Sequence, residues 1–139
     1  MCLADEPIHF ALLIPFSGEW NIGHRIAGAA ELAVERVNAN KSLLPGRRLE
    51  YSAADSGCSA QQGLKAMGKL LAGRVDVVIG PGCSSACEVT GYLSGGQGIP
   101  QISWGCTASS LSNKEKYHLV RPLSVAICVQ IIACMCAMI

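Results

Sequence analysis

With 139 residues, 50% of them hydrophobic and 15% charged, the chain has material for one domain with a substantial core and is too apolar for intrinsic disorder. Eleven basic against ten acidic side chains give a formal net charge of +1, which excludes the positive excess that holds a nucleic-acid backbone. Eight cysteines are many for a cytosolic enzyme and fit an extracellular protein better.

At the start, Met1-Cys2-Leu3-Ala4 runs straight into Asp5-Glu6. A secretory signal needs a basic start and a longer apolar run, so none is expected at this end. Ile8 to Ile14 is an apolar run interrupted only by His9 and bounded by Pro7 and Pro15, the mark of a strand covered on both faces. Pro15-Phe16-Ser17-Gly18 breaks it, and a polar loop follows to His24. From Arg25 to Asn38 the period changes. Ile26, Ala30, Ala33 and Val37 recur every three or four residues, with Arg25, Glu31, Glu35 and Arg36 on other faces, which predicts an amphipathic helix. Asn40 and Pro45-Gly46 end it.

Leu49 to Ala54 reads as a second, weaker strand nearer the sheet edge. Ser59 caps a second helix with Leu64, Met67, Leu70 and Leu71 inward and Lys65 and Lys69 in water. Val75 to Ile79 is a third strand, stopped by Gly80-Pro81-Gly82. Ser84 or Ser85 caps a third helix to about Leu93, and Ile99 to Ser103 forms a fourth strand after Gly95-Gly96-Gln97-Gly98. Strands alternating with helices of this length predict βαβ units. The fold class is α/β, a doubly wound parallel sheet with strand order 2-1-3-4.

Beyond Pro122 the composition shifts. Leu123 to Ile139 is 17 residues without a charge, with Gln130 the strongly polar side chain and with Cys128, Cys134 and Cys136. A spanning helix needs ~20 apolar residues, ~17 at the least, and no basic or aromatic anchor flanks the run. The expected division is a lobe segment over 8–122 and an apolar tail over 123–139. That tail is either a marginal membrane segment or a piece foreign to the lobe, and is not expected to pack as a native part of it.

In such a sheet, ligands sit beyond the carboxyl ends of the strands. The loops there are Phe16 to His24, Asp55 to Ser59, Gly80 to Ser85 and Trp104 to Ser110. They offer Ser17, Trp20 and Asn21, then Gly82, Cys83, Ser84 and Ser85, then Trp104, Cys106, Thr107, Ser109 and Ser110. Hydroxyls and N–H groups at a helix start attract carboxylates or phosphates. A rim tryptophan supplies an apolar wall or a face for an ammonium group. A small zwitterion suits this set. Equally, Ser84 and Ser85 read as helix caps and Trp20 as surface cover; the residues alone leave both open.

Enzyme signals fail. Gly80-Pro81-Gly82 opens a dinucleotide fingerprint, but its sixth position is Ser85 and it follows the third strand instead of the first. There is no Gly-x-Ser-x-Gly elbow, and His9, His24 and His118 lack motif partners. Cys83 and Cys87 would need Cys58 and Cys106 to make a zinc site, without a Cys-x-x-Cys knuckle. Neither catalysis, metal nor cofactor is expected. Asn40-Lys41-Ser42 is an N-glycosylation acceptor in a loop.

Six signals occur in order: Pro15-Phe16-Ser17-Gly18-Glu19-Trp20, the helix text from Ala30 to Asn38, Leu43-Leu44-Pro45-Gly46, Asp55-Ser56-Gly57-Cys58, Gly80-Pro81-Gly82-Cys83-Ser84-Ser85, and Leu111-Ser112-Asn113. In these, the stretch from Phe10 to Arg121 resembles the first part of the ligand-binding region shared by class C G-protein-coupled receptors and natriuretic-peptide receptors, the metabotropic type B GABA receptors above all. The resemblance implies part of lobe 1 of a periplasmic-binding-protein-like I fold, which closes with a second lobe over a ligand. It implies that Trp20 packs on a small amino-acid-like, GABA-like ligand and that Ser84 and Thr107 hold its carboxylate, Thr107 standing where the family usually has serine. It also implies a Cys58–Cys83 disulfide, with Cα atoms within ~7 Å. Cys87 and Cys106 are additional, and pairing with each other is open to them. A parent receptor in the cell membrane, with this region extracellular and a partner subunit beside it, follows from the same resemblance. The competing readings are a soluble periplasmic-type solute-binding protein and a flavodoxin- or Rossmann-like enzyme. The cysteines favour the receptor over the first, and Pro15 to Trp20 is unlike the phosphate loop that the second needs.

Overall fold

The apolar run Ile8–Ile14 forms β1, and it lies inside a sheet, as a strand without a polar face must. The computed structural model describes residues 6–122, so the expectations for residues 123–139 and for the first five residues lie outside the described residues. On one side β1 pairs in parallel with β2 (Leu49–Asp55), Ile8 opposite Leu49 and Ile14 opposite Asp55. On the other side it pairs with β3 (Val77–Ile79), Phe10 opposite Val77. Two further parallel strands, β4 (Gln101–Ser103) and β5 (Val120–Pro122), extend the sheet to the order β2-β1-β3-β4-β5.

Helix α1 (Gly23–Ala39) connects β1 to β2, α2 (Ala60–Leu70) connects β2 to β3, and α3 (Ser84–Gly96) connects β3 to β4. The chain steps outward from β1 to β2 and then returns past β1 to β3. Right-handed crossovers therefore put α1 on one face and the mutually packed α2 and α3 on the other. The sheet is doubly wound, and its strand order reverses beside β1 and β3.

Alternation along β1 sends Ala11 and Leu13 toward α2, where they are buried with Val78, Ala66 and Met67. A second cluster holds Cys87, Cys106, Leu111, Tyr117 and Val120 beside α3 and β4. Between α3 and β4 the buried polar groups satisfy one another: Gln101 Nε2 donates to Thr90 Oγ1 at 3.1 Å, and Ser94 Oγ donates to Gln101 Oε1 at 3.2 Å. Asn38 pins the end of α1 to the start of β2, its amide donating to Leu49 O and accepting from Leu49 N–H.

Several element boundaries differ from the sequence-based expectation. The third strand starts at Val77: the Asp76 N–H still donates to His9 O at 2.8 Å, but the His9 N–H goes to the Asp76 carboxylate, also at 2.8 Å, in place of a backbone carbonyl. The fourth starts at Gln101 because Pro100 has no N–H to give the ladder. Leu64 is exposed, not inward: the line of α2 facing inward is Gly63, Ala66 and Met67, and Gly63 lets α2 approach Ala86 of α3 closely. The fifth strand has no counterpart in the sequence reading, since three residues ending in proline carry no period. Ser59 does cap α2, its side chain accepting from Gln62 N–H.

Candidate functional site

Four connections leave the carboxyl ends of β1 to β4, at 15–22, 56–59, 80–83 and 104–108, and they converge on the reversal of strand order. Asp55, the last residue of β2, organises the first two. Its Oδ1 accepts the N–H groups of Phe16 at 2.9 Å, Ser17 at 3.2 Å and Gly57 at 2.8 Å, and its Oδ2 accepts the Ser17 hydroxyl at 2.5 Å. Burial works to raise the Asp55 pKa, but the Ser17 hydroxyl and the N–H groups of Gly57, Ser17 and Phe16 outweigh it and hold the carboxyl below its ordinary value. Gly18, at φ 87°, presses against the second connection, and a Cβ there would stand 2.1 Å from Gly57 O. Only glycine fits.

The second and third connections are joined covalently. Cys58, held in the left-handed region at φ 52°, bonds to Cys83 across a Cα–Cα distance of 5.2 Å. Ser85 Oγ adds a hydrogen bond to Cys58 O at 3.1 Å. Neither Ser84 nor Ser85 caps α3, contrary to that reading: the N-cap is Cys83, which makes no side-chain cap bond. The hydroxyls are spent on neighbouring loops. Ser84 Oγ accepts the Thr107 N–H at 3.1 Å and the Ala108 N–H at 3.2 Å, which brings Ser84 and Thr107 together.

Trp20 reaches the same place from the first connection. Its ring lies 5.6 Å from that of Trp104, tilted by 41°, and 40% of Trp20 is exposed. Both indoles sit over Gly82, where a Cβ would come within 2.4 Å of Trp104 and 2.8 Å of Trp20. The three residues expected to share a site thus share one end of the sheet. Trp104 joins them, as does the Asp55 clamp. The sequence shows both residues, but their roles depend on which loops touch. Among the described residues, no group of three or more His, Cys, Asp or Glu side chains could hold a metal, and no helix is long and apolar enough to cross a membrane.

Asn40 lies at the far end of α1 from these loops. It is exposed, and its Oδ1 accepts the Ser42 N–H at 3.1 Å and the Ser42 hydroxyl at 2.7 Å.

Comparison with known proteins agrees with this architecture. Residues 25–128 match the family model of the receptor family ligand binding region, a match that continues six residues past Pro122. The γ-aminobutyric acid type B receptor subunit 1 of Mus musculus is 29% identical over 111 residues, covering 79% of this chain and 12% of that protein. Guanylate cyclase 32E of Drosophila melanogaster is 30% identical over 109 residues, 76% of this chain and 9% of that protein. Glutamate receptor 3.4 of Arabidopsis thaliana is 30% identical over 100 residues, 72% of this chain and 10% of that protein. The chain spans about a tenth of the length of the curated relatives it matches. With its five-stranded parallel sheet and the family match over most of its length, the chain belongs to the receptor family ligand-binding region.

Proposed function

We propose that this chain supplies lobe 1 contacts to a small amino-acid-like ligand of the GABA kind, as part of the extracellular ligand-binding domain of a membrane receptor. The observation that carries the reading is the state of the Ser84 hydroxyl. A serine hydroxyl has two lone pairs and one proton, and here its oxygen already accepts two N–H groups. What it has left to give is the proton, which a ligand carboxylate accepts. The exposed flank of Trp20, backed by Trp104, supplies an apolar wall or a face for an ammonium group. The exposed Thr107 stands beside Ser84 as the second hydroxyl.

In this reading a second lobe and a partner subunit belong to the parent receptor, and no catalytic step is assigned to this chain. The two disulfides and the exposed Asn40 acceptor support an extracellular setting over a soluble enzyme. The lobe segment is taken as 8–122 and the uncharged run 123–139 as a tail outside it. Deleting 123–139 tests that boundary, since unfolding of the deletion variant would make the run an integral element. The ligand reading is tested by equilibrium binding of α- and γ-amino acids to the full chain. Ser84→Ala removes a hydrogen bond to a charged group and is expected to weaken binding roughly 10- to 100-fold. Unchanged affinity would leave Ser84 as a loop anchor alone.

A further inference from the structure

The connection 104–108 carries both Trp104 and Thr107, and its course is set by α3 and the third connection. Cys106 is bonded to Cys87 in α3, with Cα atoms 6.4 Å apart and both residues buried. On one side of this bond, Ser103 Oγ accepts the Cys106 N–H at 3.2 Å and donates to Pro81 O at 2.9 Å. On the other side come the two N–H bonds to Ser84 Oγ. Further along, the Ser110 hydroxyl donates to Glu88 of α3. Gly105 lies against the backbone of the third connection, where a Cβ would stand 2.7 Å from Gly82 O. The hydrogen bonds at Thr107 and Ala108 are at least partly open to water, which competes for them. The disulfide is not subject to that competition.

We infer that the Cys87–Cys106 bond is a positioning crosslink for the ligand site: it holds 104–108 against α3, so that the Thr107 and Ala108 N–H groups reach Ser84 and Trp104 lies against Trp20 over Gly82. This deepens the ligand reading and rests on it for its functional meaning, although the geometry it predicts is read without any ligand. Its role differs from that of Cys58–Cys83, which joins the second and third connections.

The test compares the full chain with its Cys87→Ala/Cys106→Ala variant by amide hydrogen exchange and by the circular dichroism of the indole pair, the chain's two tryptophans. Exchange at Thr107 and Ala108 is expected to rise roughly tenfold or more and the indole couplet to collapse, with Ala11, Leu13 and Val78 keeping their protection. Parental exchange at Thr107 and Ala108 together with an unchanged couplet would overturn the inference. A second pair, Cys87→Val/Cys106→Ala, refills the volume lost from the buried cluster. Loss of protection at Ala11 and Val78 in both pairs would also overturn it, by making the bond a determinant of the whole fold. Absence of amino-acid binding to the unaltered chain would count against the ligand reading and leave these exchange and couplet results standing.

Discussion

Helices α2 and α3 bury Gly63, Ala66, Met67, Ala86, Cys87, Thr90, Gly91 and Ser94 on one side of the sheet, whereas α1, the longest helix among the described residues, buries only Gly23. The difference starts in composition. The inward residues of α1 include Ala30 and Ala33, side chains too short to reach far into the sheet, and Ile26 and Val37 remain half-buried. On the opposite side Met67 and Leu13 are fully enclosed. The site loops depend on neither thickness. Asp55, Ser84, Ser103 and two disulfides tie them to one another at the carboxyl end, by bonds that do not scale with core depth. Core packing and site geometry thus rest on different parts of this molecule, with the Cys58–Cys83 link serving both overall stability and the loops, and substitutions should separate them.

The largest effect is expected where the two coincide. Replacing Cys58 and Cys83 by alanine opens a link across a sequence separation of 25, which the chain-entropy model values at about 3.5 kcal/mol. An unfolding free energy lowered by that amount, read as a lower denaturant midpoint, is the expected result, and an unchanged midpoint would remove the link from the account. Next comes a matched pair across the sheet. Leu13→Ala, in the enclosed cluster, should cost about 3 kcal/mol, and Leu32→Ala, half-buried in α1, under about 1 kcal/mol. Equal losses in chemical denaturation would break the contrast between the two faces.

Asp55→Asn probes the loops alone. Because hydrogen bonds hold the folded-state pKa below its ordinary value, the stabilisation from Asp55 is fully present above the ordinary Asp value of about 3.9 and is lost as pH falls through the lower folded value. The variant should therefore be less stable than the parent at pH 7, by on the order of 1 kcal/mol after allowing for the exposure of the Ser17 contact, and the gap should close in acid. A gap that widens as pH falls would reverse the assignment. The smallest effect is expected for Ser85→Ala, which removes an exposed hydrogen bond to Cys58 O and should lower the unfolding free energy by about 0.5 kcal/mol.

How much of this was legible in the sequence depended on how local each cause is. β1 is visible because burial on both faces leaves a run without polar positions, and the Ser59 cap is visible because capping acts within three residues. Ser84 and Ser85 also stood where caps stand, yet their hydroxyls serve loops 24 and 27 residues distant, at Ala108 and Cys58. No local pattern distinguishes those uses. β5 is too short to carry a period, and Leu64 was misplaced because the close approach of α2 to α3 at Gly63 favours a smaller inward line. Trp20, Ser84 and Thr107 could be grouped in advance because strand order fixes which loops meet. The partnership of Trp20 with Trp104 could not, since it depends on the absence of a side chain at Gly82.

The central claim is that the converging loops form a binding site for an amino-acid zwitterion. Its most direct test is a two-dimensional NMR titration of the full chain with γ-aminobutyric acid, glycine and glutamate, followed at assigned amides and at the indole N–H groups. Binding is expected to be weak, in the range of about 1 mM or roughly −4 kcal/mol. Saturable shifts concentrated at Ser84, Thr107, Ala108 and the Trp20 indole, with Asn40 and the α1 amides unmoved, are what the account requires. Shifts absent from those positions for every compound, or centred on another surface, would contradict it.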